Sequence, residues 1–247
     1  EETRRASWED SMLHVQNMVL DNCLSTIKHE TIYYPNKIKQ IIGRLNTQNL
    51  PEKDEREAVE TITELIEYYK GIFTILSSCA ARQLEEVTFR RNTIPVQELF
   101  DAAGKYFRKV TKNRTEKVEL IIEPMDAKVI GDVNQLRFLF ENLIDEALAV
   151  REEGVIRLQA RKDNEYIRFL FTDTRREKSV TELNQLFYPN LARMTSGEKG
   201  ELRGTEYLIC KQIIRDHDEF AGRRGCRINA EPAEGGGFTV YFTIPRR

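Results

Sequence analysis

Lys28-His29-Glu30 sets an imidazole directly beside a carboxylate, which is the first place in this sequence to look for chemistry. One ring nitrogen of His29 can attack an electrophile while Glu30 orients the ring or takes up its proton. Pro35 follows six residues after His29. His14 has no proline at similar spacing and reads as a residue of a solvated helix face. Cys23, Cys79, Cys210 and Cys226 lie far apart with no CxxC pair, which excludes a zinc framework or a disulfide scaffold and fits a reducing compartment. The basic pairs Arg175-Arg176 and Arg223-Arg224 are isolated and have acidic neighbours. With 38 basic and 40 acidic side chains, a net charge of -2, the chain lacks the electrostatic footprint of a nucleic-acid binder, and none is expected as a partner.

The elements that must hold His29 are legible in the apolar spacing. From Leu20 the steps alternate between four and three through Leu24, Ile27, Thr31, Tyr34, Ile38, Ile41 and Leu45, with only Thr31 breaking the seam. After a polar break ending in Leu50-Pro51 the rhythm restarts at Ala58, Ile62, Leu65, Tyr69, Ile72, Leu76 and Cys79. Two long helices and a short turn form an antiparallel hairpin. One hairpin cannot cover both of its stripes, so two copies are expected to pair as a four-helix bundle, making a homodimer. His29 falls on the flank of the stripe, where its ring is expected to reach solvent. Pro35 removes a backbone donor and clashes with the Thr31 carbonyl, so a kink or local unwinding is expected there.

Beyond Glu86 the period changes. Segments 87–90, 118–122, 154–158, 166–171, 225–230 and 237–244 read as strands, and 96–111, 132–151 and 205–217 as helices. Gly235-Gly236-Gly237 marks the last turn. The fold class expected is α+β: the helical hairpin over residues 1–86, then an α/β two-layer sandwich over residues 87–247.

Five segments in order carry a family likeness. They are Lys28-His29-Glu30 with Pro35; Gly131-Asp132-Val133-Asn134 running into Glu141-Asn142-Leu143-Ile144-Asp145-Glu146-Ala147; Asp173 with Phe187 and Pro189 fourteen and sixteen residues on; Gly204 through Ile214 to His217; and Gly225 through Pro245. This succession resembles the cytoplasmic core of two-component sensor histidine kinases, in which a dimerisation and phosphoacceptor hairpin precedes an ATP-binding domain of the type shared with gyrase and the Hsp90 chaperones. The resemblance spans roughly residues 20–247.

The resemblance implies the remaining site residues. His29, with Glu30 beside it, would receive the γ-phosphate of ATP and pass it to an aspartate of a response regulator docked on the helices below. Asn142 and Glu146, on one helix face, would meet the phosphates and Mg²⁺. Asp173 would accept a hydrogen bond from the adenine amino group, and Lys199, Arg203 and Gly204 would belong to a lid over the phosphates. Four positions depart from the family pattern: Glu146 stands where a second asparagine is expected, and Arg175, Glu177 and Glu206 stand where glycines are. Glycine allows positive φ and close backbone approach, so the adenine loop is expected to have another shape. Glu206 competes with phosphate for the field of its helix N-terminus. Two readings remain open: a histidine kinase that autophosphorylates on His29 with ATP and Mg²⁺, or a pseudokinase acting as a dimeric scaffold or phosphorelay module.

No run approaches the ~20 apolar residues needed to cross a bilayer, and no short apolar segment behind a basic start suggests a signal peptide. The expected location is the cytoplasm. The chain begins Glu1-Glu2-Thr3 without methionine, so membrane attachment is expected only through a preceding part.

Overall fold

The heptad seam becomes helix over nearly its whole length. A computed structural model describes the backbone of residues 2–47, 50–80, 89–188 and 205–247, with side chains at all of these except 2–4, 20, 23–32, 34 and 67–80. Helix α1 (Glu2–Thr47) starts well before the seam, and α2 (Glu52–Ala80) follows. Pro51 leads into α2 by accepting the Asp54 and Glu55 amides at 2.9 and 3.1 Å. Glu52, Asp54 and Glu55 occupy the first turn, where acid complements the exposed N–H groups. Lys37, Ile41 and Arg44 of α1 and Asp54, Glu57, Ala58 and Thr61 of α2 line one groove near the junction. Pro35 lies inside α1, which continues through it without unwinding. The unwinding given as one alternative does not occur, because proline removes a single donor and the neighbouring turns keep theirs.

The strand periodicity becomes a mixed sheet. Strands β1 (Asn92–Pro95), β2 (Val118–Ile122), β3 (Lys128–Gly131), β4 (Gly154–Asp163), β5 (Tyr166–Asp173), β6 (Ile228–Pro232) and β7 (Phe238–Pro245) alternate with helices α3 (Val96–Thr111), α4 (Val133–Leu148), α5 (Val180–Gln185) and α6 (Glu206–Phe220). Five strands form one sheet in the order β2-β4-β5-β7-β6, while β1 and β3 pair separately. β2 runs parallel to β4, and the other pairs are antiparallel. Period-two burial sends Ile167, Phe169, Phe171 and Asp173 of β5 to one face. On the other face Arg168 stacks over Tyr241 at 5.3 Å.

The core is aromatic at its centre. Phe169 and Phe242 stack at 4.9 Å, and Phe140 and Phe100 meet Phe169 edge-on at 5.8 and 6.0 Å. Leu136, Leu139 and Leu143 of α4 are almost fully buried. The strand expected over 87–90 is corrected at its described end. Phe89 and Arg90 are irregular, and pairing begins at Asn92. The Arg90 amide donates instead to Asp132 Oδ2 at 2.8 Å, and the Phe89 ring packs on His217 at 5.0 Å. β3 and α5 carry too short a pattern to be read from spacing.

The described chain divides into two compact units. One holds α1 through Gln16 together with the sheet and its helices; the other holds α1 from Asn17 and α2. Within the first unit the start of α1 lies on α4. Trp8 meets Phe138 edge-on at 6.0 Å, and Asn134 Nδ2 donates to Ser7 Oγ at 3.4 Å.

Candidate nucleotide site

Asp132 and Asp173 are two buried carboxylates of the sheet unit, the first at the N-terminus of α4 and the second tied through Arg175 to its C-terminal end. Asp132 caps α4: its Oδ1 accepts the Asn134 and Gln135 amides at 2.9 and 3.2 Å. Its own amide donates to His217 Nε2 at 3.1 Å, and His217 Nδ1–H donates to the Ile213 carbonyl at 2.7 Å. Both ring nitrogens are satisfied only in the neutral tautomer. Burial lowers the His217 pKa to about 4, opposed by the Ile213 bond and the Asp132 charge.

Asn142 and Glu146 lie one turn apart on α4, both buried. The Asn142 amide donates to its own helix at Phe138 O, 2.7 Å away. Glu146 and Glu206, in the first turn of α6, both act on Cys210, whose thiol burial pushes well above its ordinary value with the two carboxylates adding to the shift. The structure thus brings together two of the three acids that stand at altered family positions, Glu146 and Glu206. On the outer side of α4, Tyr106 O–H donates to Asp145 at 2.8 Å. Desolvation and the Asp145 charge raise the Glu141 carboxyl to about 7. This titrating cluster was missed in the sequence because Tyr106 lies on α3, 39 residues before Asp145.

Asp173 ends β5 opposite Phe238 of β7. Its side chain is 1% exposed and filled from within the chain. Arg175 Nε donates to Oδ1 at 2.8 Å and Nη2 to Oδ2 at 2.9 Å, a bidentate fork. The Arg175 amide also donates to Oδ1 at 3.1 Å. Arg175 Nη2 reaches the Ala147 carbonyl at 2.6 Å and Nη1 the Glu152 carbonyl at 3.1 Å. Arg176 Nε adds a contact to Oδ2 at 3.3 Å, Nη2 donates to Glu146 O at 3.3 Å, and the guanidinium lies 5.8 Å over the Phe238 ring. Gly237, at φ +83°, has its Cβ position 2.7 Å from Thr174 Cα, so only glycine lets the 235–237 turn close on this loop.

The remaining site residues of the sequence reading are placed as follows. His29 and Glu30 lie within α1, and their side chains are outside the described residues. Lys199, Arg203 and Gly204 are outside the described residues altogether. Phe187, next to that segment, is buried against Tyr207 at 5.8 Å, and its carbonyl accepts Lys211 Nζ at 3.1 Å.

The fit to ATP and Mg²⁺ turns on these contacts. An adenine amino group needs a free Asp173 oxygen, and both oxygens are held by buried guanidinium N–H groups. No group of three or more acid, histidine or cysteine side chains among the described residues is arranged to hold a metal ion. In this arrangement the described residues do not fit an adenine nucleotide read through Asp173.

Residues 131–247 match the family of histidine kinase-, DNA gyrase B-, and HSP90-like ATPases. Among solved structures, histidine kinase ThkA in complex with response regulator protein TrrA is similar at 17% identity and a TM-score of 0.52, covering 97% of this chain and 65% of that one. Full-length ShkA in complex with AMPPNP is similar at 12% identity and a TM-score of 0.51, over 89% of this chain and 46% of that one. The mycobacterial sensor histidine kinase MprB aligns at 18% identity and a TM-score of 0.48, over 64% of this chain and 99% of that one. No curated protein sequence matches. The chain therefore has the fold of a sensor histidine kinase core, with a helix-rich N-terminal part and a sheet-containing ATPase domain. No described helix is long and apolar enough to cross a membrane.

Proposed function

We propose that the chain is a cytoplasmic, dimeric transmitter module of two-component signalling, in which His29 exchanges a phosphoryl group with a response-regulator aspartate. Residues 1–86 supply the pairing hairpin and residues 87–247 the ATPase-type domain. The observation that favours relay over ATP-driven self-phosphorylation is the Asp173 carboxylate, filled by the chain's own Arg175. A neighbour of the same fold was solved with its response regulator, which supports that partner class. In the transfer, phosphorus leaves the carboxylate oxygen of an aspartyl phosphate and bonds an imidazole nitrogen of His29. The partner regains its carboxylate, and Glu30 or water takes the imidazole proton.

A second reading is a kinase using ATP and Mg²⁺, favoured by Asn142 and Glu146 standing one turn apart on the buried face of α4, with Lys199, Arg203 and Gly204 as the lid. Two labelling experiments on the whole chain separate the readings. A receiver domain phosphorylated by acetyl phosphate is expected to leave acid-labile label on the wild type and none on His29→Ala; no label on the wild type overturns the relay. Labelled ATP with Mg²⁺ is expected to leave no label. Acid-labile label that disappears in His29→Ala establishes the kinase instead.

A further inference from the structure

We propose that Arg175 is a built-in occupant of the adenine position, a side chain of the protein that ties the end of β5 to the end of α4 and excludes a purine from Asp173. The proposal rests on the reading that Asp173 stands where the family's adenine-reading aspartate stands.

The chemistry of the two groups is alike. An adenine amino group offers planar N–H donors to a carboxylate; a guanidinium offers more of them, in a rigid fork, with a charge. Arg175 uses four of its five guanidinium N–H donors: Nε and Nη2 take the two oxygens of Asp173, and Nη2 and Nη1 take the carbonyls of Ala147 and Glu152. The ion pair is 1% exposed on both sides. A dry pair with its hydrogen bonds satisfied is opened only by leaving a buried charge uncompensated, so a neutral purine does not displace it.

The rest of the chain makes room for this arginine. Gly154 at the start of β4 has φ +138°, and its Cβ position lies 2.8 Å from Arg175 Cγ. Any other residue there meets the arginine stem. Arg176 closes the same corner from the other side, between Asp173, the Glu146 carbonyl and the Phe238 ring. A surface arginine that had drifted into a former glycine position would have neither a complete set of acceptors nor a glycine cleared for its stem.

The test is binding of a fluorescent N-methylanthraniloyl ADP to the whole chain, followed by anisotropy with and without Mg²⁺. The wild type is expected to show no saturable binding. Arg175→Ala, checked for folding by circular dichroism, is expected to bind about tenfold or more tightly than the wild type. That binding is expected to be competed by ATP, not by GTP, and lost when Asp173→Asn is added. Arg175→Gln serves if the alanine variant does not fold, since glutamine keeps a donor near the Nε position but reaches neither the second Asp173 oxygen nor the two carbonyls. A folded variant that gains nothing overturns the proposal. So does a wild type that binds the probe through Asp173, as shown by loss of binding in Asp173→Asn alone, a measurement that needs no Arg175 variant. Binding is read without phosphotransfer, so a failure here leaves the His29 relay standing, and a failed relay leaves this result standing.

Discussion

Lowering the pH from 7.5 to 5.5 should weaken the sheet unit through His217, and the size of the effect follows from its surroundings. His217 is 0% exposed, with Nδ1–H given to Ile213 O and Nε2 accepting the Asp132 amide. A second ring proton would point at an N–H donor, so burial and this geometry hold the folded pKa at about 4. The unfolded value is about 6.5. Between these values the unfolded chain binds more protons than the folded one, so stability is complete above pH 6.5 and falls as pH drops toward 4. The two values give a loss of about 1.4 kcal/mol by pH 5.5 and about 3 kcal/mol at the acid limit. Glu141, raised to about 7, works in the opposite direction, so the readout must be a difference. Urea unfolding of the wild type and His217→Gln at both pH values isolates it. Glutamine can donate to Ile213 and accept from Asp132 without titrating. The wild type should lose about 1.4 kcal/mol more than the variant on acidification. Equal losses would refute the assignment of a buried neutral imidazole.

Two substitutions probe the frame around the site. Asp132→Ala removes the α4 cap and the acceptor of the Arg90 amide, and should cost about 1–2 kcal/mol in urea unfolding at pH 7.5. An unchanged unfolding midpoint would show that water replaces the cap. Phe169→Ala empties the aromatic centre between Phe242, Phe140 and Phe100 and should cost about 3–5 kcal/mol by the same measurement. A cost near that of a surface residue would mean the core is centred elsewhere.

Much of the frame was legible because it is periodic. The alternating four-and-three steps from Leu20 and from Ala58 foretold α1 and α2, and the period-two runs foretold β2, β4, β5, β6 and β7. Periodicity did not reach the N-terminal turns of α1. There Trp8 and Ser7 find their partners on α4, more than a hundred residues away, and no local pattern records that contact. Nor did it reach β1 and β3, whose four-residue lengths are too short to show a repeat and which exist by pairing with each other.

By itself the sequence determined which residue types stand at which family positions: a histidine beside an acid before Pro35, an Asn142–Glu146 pair, Asp173, and Arg175 where a glycine is expected. On that basis Arg175 reads only as a lost glycine. What it replaces the glycine with was decided by the tertiary structure. The carbonyls of Ala147 and Glu152 and the space above Gly154 come from the end of α4, the following loop and the start of β4. They converge on one guanidinium only when β5 has closed beside β4. His217 is neutral for the same reason, since its acceptor role depends on an amide 85 residues earlier. Hydrogen-bond partners distant in the chain are set by packing, which a one-dimensional pattern does not contain, and in this protein such partners, the Ala147 and Glu152 carbonyls, anchor Arg175 on Asp173.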